Sequence, residues 1–131
     1  MSVVRYILDT HALVWAATDP DRLGAAADHI ISTAAPGAIG IPSALIIELG
    51  RLIDEDAVVL TSRPSDVFAP ILARHPVLPV SLDAAIKAPR VSLPHKDPYD
   101  RLIVAEALVL GVPLITKDSN ITDSGLVRVI W

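Results

Sequence analysis

The chain has 131 residues, 52% of them apolar but only 4% aromatic, so its core must be built from Ala, Val, Ile and Leu. The absence of Cys excludes a disulfide framework, thiolate chemistry and a Cys-ligated zinc site. A formal net charge of −4 and a pI near 5.4 exclude a protein that grips nucleic acid through phosphate contacts alone; any such role needs local basic residues, bound cations or both.

The length suits a single domain, taken as residues 1–131. Met1-Ser2-Val3-Val4-Arg5-Tyr6 enters a strand pattern at once and lacks signal-peptide architecture, and no apolar run approaches the roughly 20 residues of a membrane helix. A cytoplasmic protein without membrane contact is expected. Val3 to Leu8 reads as a strand ending at Asp9-Thr10, and His11 to Thr18 as a short helix stopped by Asp19-Pro20-Asp21. Leu23 to Ala35 reads as a helix closed by Pro36-Gly37, and Ala38 to Ile41 as a short strand. Pro42-Ser43 opens a helix, Ala44 to Ile53, with Ser43 as its cap; Asp54 to Leu60 is an acidic turn and an apolar extended piece. Ser65 to His75 reads as a helix capped by Ser65, Val77 to Val80 as a strand, and Ser81 to Ala88 as a helix starting on a Ser cap. After a loop from Pro89 to His95, Asp97 caps a largely buried apolar helix with Pro98 at its first position, Asp100 in its first turn and Gly111 as its stop. Leu114 to Thr116 is a strand running to Asp118, and Leu126 to Ile130 closes the chain as the last strand. Strands alternate with helices throughout, which predicts an α/β fold with a parallel sheet flanked by helices.

Four acids fall where such a sheet builds sites. Asp9, Asp100 and Asp118 stand at strand or helix tips, and Glu48 lies near the start of a helix that follows a strand. Three of them, and the nearby Asp97, have a structural alternative: a helix cap for Asp9 or Asp97, a surface pair with Arg51 for Glu48, a turn with Ser119 and Asn120 for Asp118. As a set they converge on the carboxyl edge of the sheet. Clustered carboxylates cannot all ionise unpaired, and a divalent cation resolves the conflict; all-oxygen ligation suits Mg²⁺ or Mn²⁺. Arg101 and Lys117 flank these acids as phosphate contacts or as surface salt bridges. His11 and His95 read as structural or substrate-contact residues rather than ligands, and Trp15 as a packing residue rather than a platform for bases.

Leu8-Asp9-Thr10-His11-Ala12-Leu13-Val14-Trp15, the Glu48 helix, His95-Lys96-Asp97-Pro98-Tyr99-Asp100-Arg101 and Pro113-Leu114-Ile115-Thr116-Lys117-Asp118 together resemble the PIN domain, and within it the VapC-type toxins of prokaryotic toxin–antitoxin pairs. The resemblance spans essentially the whole chain. It implies an α/β/α sandwich, a metal-dependent ribonuclease acting on RNA, a homodimer, and inhibition by a small antitoxin. It carries the family's acidic quartet onto Asp9, Glu48, Asp100 and Asp118 as catalytic metal ligands, with Asp97 as a secondary one. Thr10 and Thr116 match hydroxyl positions beside the site and are taken, with Arg101 and Lys117, as substrate contacts. Asp54-Glu55-Asp56 departs from the glycine and basic residues that many relatives carry there. A silent PIN-like module that only binds a partner is the alternative. A phosphoaspartate enzyme or receiver domain fits less well, because His11 stands where the former needs a second Asp and Lys117 is followed by Asp118 rather than Pro.

Overall fold

The computed structural model describes residues 3–95 and 97–131; Met1-Ser2, just before the first expected strand, and Lys96, within the His95–Arg101 segment, lie outside them. Five short strands form one parallel sheet: β1 (Tyr6–Leu8), β2 (Ile39–Pro42), β3 (Val77–Leu78), β4 (Leu114–Ile115) and β5 (Val129–Ile130), in the order β3-β2-β1-β4-β5. Helices α1 (Thr10–Thr18), α2 (Ala25–Thr33), α3 (Ser43–Asp54), α4 (Pro64–Arg74), α5 (Leu82–Lys87), α6 (Pro98–Leu110) and α7 (Ser119–Ser124) complete the α/β/α arrangement expected from the alternating pattern. None of the described helices is long and apolar enough to cross a membrane.

The core is aliphatic, as the composition dictates. Ile7, Leu8, Ile39, Ile41, Leu114 and Ile115 bring the inner strands together, and Leu13, Leu45, Ile103 and Val104 cover them from α1, α3 and α6, all essentially without exposure. Continuous apolar strands of this kind are the mark of a parallel sheet covered on both faces. Gly40 in β2 has no room for a side chain: a Cβ there would stand 2.5 Å from the Leu78 side chain.

Several boundaries differ from expectation, each for a local reason. Ser43 does not cap α3; the chain turns into the helix at Pro42, and the Ser43 hydroxyl donates instead to the Leu78 carbonyl across to β3 (2.6 Å). Ser65 likewise lies inside α4, which begins at Pro64 after Arg63. Asp54 to Leu60 forms no strand: α3 runs on to Asp54, Asp56 takes a left-handed φ of 58°, and the amides of Ala57 and Val58 return to the Leu52 carbonyl. The last strand shortens to Val129–Ile130, and a short helix, α7, occupies the turn expected after Asp118.

Ser81 and Asp97 do cap their helices. The Ser81 hydroxyl accepts from the Ala84 amide at 3.1 Å, and Asp97 Oδ1 accepts from Tyr99 at 2.9 Å and Asp100 at 3.4 Å. Gly111 ends α6 in the left-handed region at φ 68°. Glu106, the one charged residue in the apolar run of α6, is buried because its Oε1 accepts from the Ser81 amide at 3.0 Å, tying α6 to the start of α5.

Candidate active site

The strand order reverses direction at β1: β2 and β3 lie on one side of it, β4 and β5 on the other. Ligands in open α/β sheets bind at such a switch point, beyond the carboxyl ends of the two strands. Here β1 delivers Asp9 and Thr10, and β4 delivers Thr116, Lys117 and Asp118. Glu48 arrives from the second turn of α3, and Asp97 and Asp100 from the start of α6.

Asp9, Glu48, Asp97, Asp100 and Asp118 line one cleft of about 510 Å³, together with His11, Trp15, Arg51, Leu52 and Lys117. Asp9, Glu48 and Asp100 each turn a carboxylate oxygen into a group whose members lie within 4.8 Å of one another. Asp118 joins through Asp100, forming a second such group with His95. Asp100 is thus common to both groups, Asp9 and Glu48 standing with it in one and Asp118 in the other.

Two buried threonines hold the acids in place. Thr116 Oγ1 donates to Asp9 Oδ2 and accepts from the Asp118 amide at 3.0 Å. Thr10 Oγ1 donates to Glu48 Oε1 at 2.5 Å, pulling α3 toward β1. Both threonines, expected as substrate contacts, have no exposed surface, and each hydroxyl is spent on an acid. Arg101 is absent from the cleft wall, and its buried Nε has no hydrogen-bond partner among the described residues. Lys117 does line the cleft. Arg51, which sequence reasoning treats only as a surface partner of Glu48, also lines it; its guanidinium lies 3.7 Å from Glu48, 3.0 Å from Glu55 and 5.5 Å from the centre of the Tyr99 ring.

The electrostatics are those of an uncompensated anionic cluster. Burial pushes the Asp9 and Glu48 carboxyls up, against the downward pull of Thr116 on the first and Thr10 on the second. Asp100 is pushed up to about 8, by burial first and then by Asp9, Asp97, Glu48 and Asp118. His95 faces this carboxyl, with Nε2 3.5 Å from Asp100 Oδ2; its Nδ1 accepts from the Asp97 amide at 3.4 Å, which leaves Nε2 as the donor in the neutral ring. Hard oxygen donors at this spacing, with a negative balance, fit a hard divalent cation such as Mg²⁺ or Mn²⁺.

The PIN domain family matches residues 6–125. This chain belongs to the PIN-domain family. Its relative Ribonuclease VapC22 of Mycobacterium tuberculosis is 34% identical over 118 residues, covering 88% of each chain. Among solved structures, VapBC2 of Rickettsia felis bound to a promoter DNA fragment aligns with a TM-score of 0.70 at 15% identity, over 98% of this chain and 99% of that one. VapC20 of M. tuberculosis, a toxin that cleaves the sarcin–ricin loop, aligns with a TM-score of 0.69 at 16% identity, over 94% and 97%. Those likenesses establish the fold of this PIN domain.

The Thr116 bridge makes a testable demand on the PIN-domain site. Thr116→Val keeps the shape and removes the hydroxyl, leaving Asp9 without its buried donor. Where the orienting partner of a metal ligand is lost, affinity or activity typically falls 10- to 100-fold, and about that loss is expected if Asp9 holds a cation. Mn²⁺ titration and a turnover assay check it; values within twofold of wild type would show that Asp9 needs no orienting bond.

Proposed function

We propose that this PIN domain is a divalent-metal-dependent endoribonuclease, the toxin of a toxin–antitoxin pair, in which Asp9, Glu48, Asp100 and Asp118 serve as metal-binding catalytic acids. The observation that carries the reading is the carboxylate triad within 4.8 Å at the sheet's switch point, in a chain 34% identical to a ribonuclease. Mg²⁺ or Mn²⁺ held there would supply a water activated for in-line attack on a phosphodiester and would offset charge on the phosphate and leaving oxygen. Thr116 and Thr10 fix Asp9 and Glu48, so these two acids need little reorganisation as charge develops. His95 Nε2 stands 3.5 Å from Asp100 Oδ2, its ring facing the carboxylate. Lys117, exposed on the rim of the cleft, is the side chain offered to the substrate phosphate. Asp97 acts chiefly as the cap that sets Asp100 in the first turn of α6.

An antitoxin partner is supported by the R. felis VapBC2 structure and by the M. tuberculosis relative. A homodimer, a single domain over residues 1–131 and a cytoplasmic location complete the reading. The test is cleavage of single-stranded RNA by purified protein with Mg²⁺, with Mn²⁺ and with EDTA. Internal cuts that require the cation and stop with EDTA are expected. Cleavage that persists in EDTA would overturn the metal reading, and an RNA panel left intact under every condition would favour the silent module.

A further inference from the structure

We infer that a groove beside the acid cleft is a second nucleotide subsite, in which one base of single-stranded RNA lodges against His11 while Lys117 and Arg22 meet the phosphates on either side. The inference rests on the ribonuclease reading and extends it to how the strand lies. The groove has a volume of about 380 Å³, within the range of small-ligand sites, and shares His11 and Trp15 with the acid cleft, so the two adjoin across these side chains and together offer a strand one trough to lie along.

Trp15 is the hub of this trough. Its indole ring lies 5.7 Å from the His11 ring on one side and meets Trp131 edge-on at 5.7 Å. The Arg22 guanidinium lies 4.5 Å from the centre of the Trp15 ring, and the Lys117 ammonium 5.6 Å. Both cations are exposed, and among the described residues neither is held in a salt bridge, whereas Arg51 is drawn to Glu48 and Glu55. A guanidinium lying on an indole keeps its N–H donors in its own plane, pointing away from the ring and free for an anion. Trp15 is therefore a positioning residue: it holds two cations ready for an external partner in a chain whose net charge is −4.

The rest of the groove suits a base. The exposed His11 ring offers a stacking face, and Val59 and Leu60 supply an apolar wall, with Val59 77% exposed for want of a neighbour. Stacking on a ring is open to any base, but only to one that is out of a duplex. Asp19, the acid of this groove, repels phosphate and accepts from a base amino group, so the phosphates are left to Arg22 in the groove and Lys117 in the adjoining acid cleft.

Binding of a short, labelled single-stranded oligoribonucleotide of mixed sequence to full-length protein carrying Asp100→Asn, in Mg²⁺ over a salt series, tests this. Arg22→Ala and Lys117→Ala should each weaken binding severalfold and lower the salt slope by about 0.7, and Arg22→Lys should restore the slope. His11→Ala should weaken binding by roughly 5- to 150-fold, the range of one base–ring stack. In the cleavage-competent protein, His11→Ala and Arg22→Ala should raise KM more than they lower kcat, with thermal midpoints reported alongside. If Arg22→Ala and His11→Ala leave KM and salt slope untouched in an enzyme that cuts RNA, the subsite is overturned and the ribonuclease reading stands. If they impair only association with a protein partner, the trough is a protein surface and the subsite is again overturned. If the wild-type protein neither binds nor cuts RNA, the ribonuclease reading itself fails.

Discussion

Asp100→Asn should lower RNA cleavage by at least about a hundredfold, the scale on which one preorganised electrostatic group counts. The same change should raise the thermal midpoint of the metal-free protein near pH 8. Asp100 sits among Asp9, Glu48, Asp97 and Asp118, and its carboxyl resists ionisation until about pH 8 because each of them, with burial, opposes the charge. The amide keeps the shape and carries no charge, so the fold is relieved of a repulsion on which the proposed chemistry depends. A gain on the order of 5 °C together with loss of turnover is the expected pair of results, since one kcal/mol in a domain of this size moves the midpoint by several degrees. Asp97→Asn should behave differently. Asn caps nearly as well as Asp, so the bonds to the Tyr99 and Asp100 amides survive and most activity with them. Equal inactivity of the two variants, measured on protein of matched stability, would mean that Asp97 takes part directly.

The second large effect is linkage between protons, metal and stability. Asp100 has a folded pKa of about 8 against 3.8 for the ordinary carboxyl, so between those values the folded chain holds a proton that the unfolded chain has released. Fewer protons bound in the unfolded state means that stability falls as pH rises across that window, and the raised carboxyls of Asp9 and Glu48 act in the same direction. A divalent cation bound at the proposed site would take the place of the proton. Its stabilisation should therefore be small near pH 5 and grow toward pH 8, where saturation at about 100 times Kd contributes about 2.7 kcal/mol. Melting curves with Mn²⁺ and with EDTA across this range check the sign, and calorimetry in two buffers checks proton release on binding. A midpoint difference that is flat with pH, or absent at millimolar cation, would mean that no cation neutralises this cluster.

Much of this was legible in the chain because its strong signals were local. An apolar strand ending in Asp9, and Asp97-Pro98 before an apolar helix with Gly111 at its end, each state a structure in a few residues. Asp9, Asp100 and Asp118 are legible for the same reason, each standing at the end of a well-marked element, and Glu48 is legible as the lone acid among the apolar residues of Ala44 to Ile53. What depended on distant partners was not legible. Nothing near Ser43 in sequence says that its hydroxyl belongs to Leu78, and nothing near Thr10 says that it grips Glu48. Helix α7 went unseen because Ser119–Ser124 is polar and six residues long, with Ile121 its one buried side chain; Asp118 caps it by accepting from the Ile121 amide at 2.9 Å. The trough at Trp15 escaped because its parts come from α1, the Pro20–Arg22 turn, the loop after α3 and the loop after β4.

The insertion of β4 between β1 and β5 also sets when the site can exist during synthesis. Asp9 and its hydroxyl partner Thr116 are 107 positions apart, and β4 is the last strand but one to be made. At about 5–20 residues per second, Asp9 leaves the peptidyl-transferase centre several seconds or more before Thr116 is joined to the chain. Through that interval β1 keeps an open edge on the β4 side and the acid cluster lacks both Thr116 and Asp118. An RNA-cutting chain built in this order cannot assemble its full set of acids and their hydroxyl partner until β4 has been made.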